Sequence, residues 1–228
     1  MSDNTVKIVI EIKNEEEKKP CHSSLIEAAK NGCTECVKSF MDKENGMKDK
    51  DGNTALMYAA EKGHTECVKL LMVKEAKLRD EHDKTALMKA AQYNHPECVK
   101  LLMPHEVKLR ADFGYTALIH AAQFGHTECI KLLVDKESGI KDNDGYTALM
   151  KAAQFDNSEC VKLLLPREAN LKDNNGKSAL DYAKNDEIRK LIQDYLEKKD
   201  TKEITTVDNK EITISGSDKK IIITIVKN

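Results

Sequence analysis

No stretch of 18 apolar residues occurs in this sequence, so no segment is expected to span a bilayer. An excess of charge of one sign is missing too: 37 basic residues stand against 39 acidic ones, a formal net charge of −2. Without a broad basic field, neither nucleic acid nor an anionic membrane surface is an expected partner. Residues 1–13 lack a basic segment followed by an apolar core, so no secretory signal is expected there. Aromatic residues are few, with six tyrosines, four phenylalanines and no tryptophan. Cysteines number an odd seven, and five of them fall at one recurring position, which argues against a disulfide framework. A reduced, cytoplasmic location is therefore expected.

What the sequence does have is a repeat. Thr54, Thr85, Thr116, Thr147 and Ser178 each open a Thr/Ser-Ala-Leu triplet, and each lies 31 residues after the one before. Cys36, Cys67, Cys98, Cys129 and Cys160 keep the same step of 31. A fixed period of this size marks a solenoid of stacked units. The unit reads Gly52-Asn53-Thr54-Ala55-Leu56, then Ala59-Ala60, then Gly63-His64-Thr65-Glu66-Cys67-Val68-Lys69-Leu70-Leu71.

This unit resembles the ankyrin repeat, in the short form found in protist ankyrin-only proteins, over about residues 21–199. The resemblance implies an all-α repeat solenoid of about six helix-turn-helix units and a role in binding protein partners. It also implies a concave face made by the turns and the ends of the first helices. Where ankyrin repeats run 33 residues and open Thr-Pro-Leu-His, this chain has Ala55, Ala86, Ala117 and Ala148 for the proline. Met57, Met88, Ile119 and Met150 stand for the histidine. The family's Thr–His bond is therefore absent and packing is expected to replace it. The two missing residues shorten the projecting loop.

Within each unit the threonine is placed to cap the first helix. Gly63 and Gly125 end that helix, with Asn94 and Asp156 in the equivalent places. Cys67, Val68, Leu70 and Leu71 face inward from the second helix, while Glu66 and Lys69 form an outward pair three residues apart. Pro104 and Pro166 are expected to stop their helices. Residues 20–199 form the repeat domain, with a looser first unit and a shortened last one.

The ends read differently. In residues 1–19, Val6, Ile8, Ile10 and Ile12 alternate as in a β-strand, and a charged linker comes after them. Residues 200–228 read as three strands, Ile204–Val207, Glu211–Ser215 and Lys220–Lys227, the last apolar on both faces and so expected to be central. Short β segments are thus expected at both termini. Six units stacked at ~8–10 Å hold the ends ~40–50 Å apart, beyond the ~24 Å reach of residues 14–20. That mismatch makes head-to-tail pairing of the terminal strands between molecules, a homo-oligomer, the alternative to a plain binding scaffold, unless each segment caps its own end of the stack or the N-terminal one is disordered.

Catalytic and cofactor chemistry finds little support. Gly176-Lys177-Ser178 resembles the end of a phosphate loop, but Leu171 stands where the pattern needs glycine. Cys21, His22, Cys33 and Cys36 have metal-ligand chemistry, but about ten helical residues would put ~15 Å between the two halves, so no metal is expected. The cysteine ladder is read as core, since packed helices lie ~8–10 Å apart and a disulfide needs Cα atoms within ~7 Å. His64 and His126 belong to the repeat, while His22, His82, His95, His105 and His120 are scattered. No nucleophile, base and orienting group recur together, so the chain is read as a non-enzyme without cofactors.

The ankyrin resemblance implies that Phe113, Tyr115 and Tyr146 lie at the turns of the concave face, and Tyr93, Phe124 and Phe155 at its helix ends. Aromatic clusters of this kind serve as binding hot spots, or they simply pack turn against helix within the repeat. Lys89, His120 and Lys151 share that helix face, which points to an acidic protein partner.

Overall fold

The computed structural model describes residues 21–202, 204–207, 211–216 and 219–224. Twelve α-helices among them form six antiparallel pairs. These are α1 (Leu25–Lys30) with α2 (Thr34–Glu44), α3 (Ala55–Lys62) with α4 (Thr65–Glu75), α5 (Ala86–Gln92) with α6 (Pro96–Glu106), α7 (Ala117–Phe124) with α8 (Thr127–Glu137), α9 (Ala148–Gln154) with α10 (Ser158–Glu168), and α11 (Ala179–Tyr182) with α12 (Asp186–Lys202). The first helices pack on one another in one row and the second helices in a parallel row. None of the helices is long and apolar enough to cross a membrane.

Local sequence explains where each helix begins and ends. The hydroxyls of Thr54, Thr116 and Thr147 accept from the backbone N–H three residues on, while Thr85 makes no such bond. Gly63 and Gly125 close α3 and α7 in the left-handed conformation (φ 75° and 79°), and Asn94 and Asp156 adopt it at φ 61° and 60°. Alanine pairs such as Ala59-Ala60 and Ala90-Ala91 are fully buried between neighbouring first helices. The cysteine ladder, Cys36 to Cys160, lies in the core as free thiols. Cys67, Val68 and Leu71 are buried beside it, with Leu70 half-buried. The Glu66–Lys69 pair forms at 2.5 Å on the outer surface.

Two proline stops do not occur. α6 runs through Pro104 to Glu106, and α10 through Pro166 to Glu168. Each proline sits in the last turn, and the glutamate two residues beyond it holds the helix end in place. That glutamate ties the first helix of its unit to the loop of the unit before. Glu75, Glu106, Glu137 and Glu168 are each about 1 % exposed. One carboxylate oxygen accepts from the N–H that opens the first helix of the same unit, at Leu56, Leu87, Leu118 and Leu149, all at 2.7 Å. The other accepts from the preceding unit's loop, at Gly46, Lys77, Lys108 and Gly139, at 2.8–2.9 Å. Burial pushes the carboxyls of Glu137 and Glu168 up, while these N–H donors favour the charged form.

After α12 the backbone forms β1 (Ile204–Val207), β2 (Glu211–Gly216) and β3 (Lys219–Thr224), antiparallel in the order β1-β2-β3. β3, expected to be central, is at the edge of that order. The strand expected within residues 1–19 lies outside the described residues.

Candidate functional site

Four of the five turns between units are built on one aspartate each. Asp49, Asp80, Asp142 and Asp173 each accept two backbone N–H bonds through one oxygen, from the residues two and four further on, at 2.8–3.0 Å. The second oxygen takes a side chain from the first helix, nine residues after the aspartate. Tyr58 donates to Asp49 at 2.6 Å and Tyr182 donates to Asp173. Lys89 pairs with Asp80 at 2.9 Å, and Lys151 with Asp142 at 3.4 Å. Burial raises Asp80, but the Lys89 ammonium and the N–H groups of Lys84 and His82 outweigh it and hold the carboxyl below its usual range.

In register with these aspartates stands Ala111, and the residue nine further on is His120. Here the carboxylate is missing and the turn takes another form. Asp112–Gly114 makes a short 3-10 helix, with Phe113 in the left-handed region at φ 59° beside Gly114 at φ 80°. A phenylalanine held there is strained. Its side chain is 76 % exposed. His120 is 5 % exposed, and both ring nitrogens are buried without a hydrogen-bond partner. Burial, and then the cations Lys84 and Lys89, push its pKa down to about 3, so the ring is neutral.

A pocket of about 330 Å³ opens at this place. Ala111, Phe113, Tyr115, His120 and Phe124 line it, with Lys84 and Gln92 from the preceding unit. The His120 and Tyr115 rings meet edge to face at 5.4 Å. Tyr115 continues into a packed series, with the Lys151 ammonium 5.0 Å from its centroid and 4.0 Å from that of Tyr146, and Tyr146 lying 4.8 Å from Tyr182.

Four of the nine residues singled out in the sequence, Phe113, Tyr115, His120 and Phe124, therefore surround one cavity. Tyr93 and Phe155 are exposed at the equivalent helix ends of neighbouring units but are not among its lining residues. Tyr146 is half-buried. Lys89 and Lys151 were expected to present positive charge. Instead Lys151 is buried and Lys89 half-buried, each against an aspartate, and their charge is spent within the turn. Lys84 is the cation at the pocket, where it donates to Gln92 at 3.1 Å.

Other groups are settled by the fold. His95 is not scattered but in register with His64 and His126. The Nε2 atoms of these three lie 2.8–3.1 Å from the carbonyl oxygens of Lys30, Glu61 and Gln92 in the preceding unit. The Gly176-Lys177-Ser178 segment is a turn, and Ser178 forms a capping box with Asp181 at the start of α11. The ~15 Å separation expected between Cys21-His22 and Cys33-Cys36 is not what the structure shows. The ligand atoms of Cys21, His22, Cys33 and Cys36 all lie within 4.8 Å of one another. α1 has six residues, about 9 Å at 1.5 Å per residue, and the four residues before it fold back along that length.

Comparison with known proteins agrees with the repeat architecture. A family model described as ankyrin repeats (3 copies) matches overlapping stretches at residues 2–80, 25–112, 74–144, 96–173 and 136–203. No curated protein matches the chain.

Proposed function

The chain belongs to the ankyrin-repeat family, and from that premise we propose that it is a non-catalytic scaffold that binds a protein partner at the concave pocket beside Ala111. Ankyrin repeats generally mediate protein–protein interaction. The single observation that carries the assignment of the face is the absent carboxylate: His120 keeps two unpartnered ring nitrogens at a cavity where every neighbouring turn has an aspartate. An aspartate or glutamate side chain of the partner fits that place. His120 and Lys84 would donate to it, and binding would bring a proton to the imidazole. Phe113, Tyr115 and Phe124 form the apolar wall, and Tyr93 and Phe155 extend the aromatic surface on either side. Rigid stacked units present these groups without an ordering cost on binding. The free-thiol ladder suits a reducing, cytoplasmic setting.

Affinity capture from lysate, with wild type, Ala111→Asp and Phe124→Ala/Phe155→Ala compared side by side, tests this reading. Partners recovered by wild type are expected to be lost from both variants while the variants melt as folded domains. Recovery unchanged by Ala111→Asp would sink the pocket as the site.

A second reading rests on the sheet order, in which β3 occupies an edge and has one paired side among the described residues. An edge strand is a template for a strand from another chain. In that reading residues 5–13 of one molecule add to β3 of the next. Light scattering after size exclusion, on the full chain and on a chain lacking residues 1–19, separates the two. Equal monomeric mass at high concentration removes the assembly reading.

A further inference from the structure

Cys21 and Cys33 are the two cysteines outside the ladder. Position 33 is informative because its equivalents in the next four units are His64, His95, His126 and Asn157. Each of those side chains reaches back to a carbonyl of the unit before it. In the first described unit a cysteine stands in that place. The residues at 21 and 22 differ as well. Where the second unit has Gly52-Asn53, the first has Cys21-His22. The departures at 21, 22 and 33 thus fall together in the first described unit, and each is a metal-ligating residue type.

Their geometry fits one ion. The Cys21 sulfur lies 3.1 Å from that of Cys36 and 3.6 Å from that of Cys33. His22 Nδ1 is 3.1 Å from the Cys21 sulfur and 3.4 Å from the Cys36 sulfur. A tetrahedral zinc with Zn–S of ~2.3 Å and Zn–N of ~2.0–2.1 Å has ligand atoms ~3.5–3.8 Å apart along its edges. The observed separations, all under 4.8 Å, are of that size. They are far from the ~2.05 Å of a disulfide, and three sulfurs share the space. Cys33 is the N-cap of α2 and Cys36 lies in its first turn, so both sit where the helix dipole favours a thiolate. The Cys21 N–H points at the Cys36 sulfur at 3.3 Å, a second donor to the same atom. Cys36 is buried, Cys33 and His22 are half-buried and Cys21 is exposed, which leaves an entry path from solvent.

We propose that Cys21, His22, Cys33 and Cys36 form a structural zinc site that closes the N-terminal end of the solenoid. Three thiolates and one imidazole in a closed tetrahedron are a structural zinc set, with no position left for a reacting water. The ion clamps residues 21–24 to the start of α2 in the first unit, which among the described residues has a neighbouring unit on one side only. Binding releases the thiol protons to solvent and involves no change of oxidation state.

The full chain, purified under reducing conditions without chelator, is analysed for metal by mass spectrometry and then titrated with cobalt(II) after zinc removal. One zinc per chain is expected, along with a cobalt spectrum showing thiolate charge-transfer bands and the intense visible bands of tetrahedral coordination. Cys33→Ser is expected to lose the bound equivalent, and the distal Cys160→Ser to keep it. Chelation is expected to lower the melting temperature of wild type. The proposal is overturned if reduced wild type takes up neither zinc nor cobalt, or if Cys33→Ser holds as much metal as wild type. A metal-free chain with Cys21 in a disulfide to Cys33 or Cys36 overturns it too. The cobalt titration of wild type decides the matter even if Cys33→Ser fails to fold.

Discussion

His120 stands to Ala111 as Lys89 stands to Asp80 and Lys151 to Asp142, nine residues on from the turn, yet neither of its ring nitrogens is bonded. Restoring the carboxylate should therefore repair the turn. Ala111→Asp is expected to accept from the backbone at Phe113 and Tyr115 and from the imidazole of His120. These added bonds are expected to contribute about 1–2 kcal/mol. For a domain of this size that corresponds to a rise of ~2–8 °C, read by thermal melting. A fall in melting temperature would show that the altered turn has its own compensation.

Acid should act on the same histidine. Its pKa is about 3 in the folded chain, against an ordinary value near 6.5. Between those values the unfolded chain binds the extra proton, so stability is lost as the pH falls from about 6.5 toward 3, by up to ~1.4 kcal/mol per pH unit. Lys84 and Lys89 add to the penalty on a second cation, and Asp80 opposes it. Chemical denaturation at about pH 7 and pH 4.5 should show a larger loss for wild type than for His120→Gln. Parallel losses would mean that His120 is hydrated in solution.

The buried glutamates carry the unit boundaries. Glu106→Ala strands the N–H groups of Leu87 and Lys77, and each buried unpaired donor costs ~1–3 kcal/mol. A loss of about 2–5 kcal/mol is expected in urea denaturation, with Glu106→Gln intermediate because its amide keeps one acceptor. An effect below about 1 kcal/mol would show that water replaces the carboxylate.

Lys151 offers a different kind of test, because its partner is buried with it. Lys151→Met leaves Asp142 without its cation, and removing one member of a buried pair costs about 3–5 kcal/mol. The double variant Lys151→Met/Asp142→Asn should recover part of that loss. No recovery would mean that the cation's contact with the Tyr146 ring, and not the ion pair, carries the effect.

The sequence is legible where the physics is periodic. The repeat step, the threonine caps at 54, 116 and 147, the left-handed closures at 63 and 125, and the cysteine core all come from spacing and local chemistry. The glutamates do not, because a charged residue at a helix end is ordinarily solvated, and the partners of Glu75 lie 19 and 29 residues away in sequence. Lys89 and Lys151 mislead for the same reason, although Asp80 and Asp142 recur at the unit's own period. That period also holds the one signal for the pocket, namely alanine at 111 where 49, 80, 142 and 173 are aspartate. The ligand set at 21, 22, 33 and 36 is hidden by the helix length that spacing alone suggests. A six-residue α1 and a chain that doubles back bring its halves together.

Each glutamate receives one bond from its own unit and one from the unit before it. A copy of the unit placed between two others would bring the acceptor its predecessor needs and offer the donor its successor needs. The array can thus grow or shrink by whole 31-residue steps and close the same bonds at every new junction. Duplication in such a gene costs little in foldability, which frees a single copy to drift. The unit with His120 keeps both of these bonds at Glu137, although the turn at Ala111 lacks the aspartate.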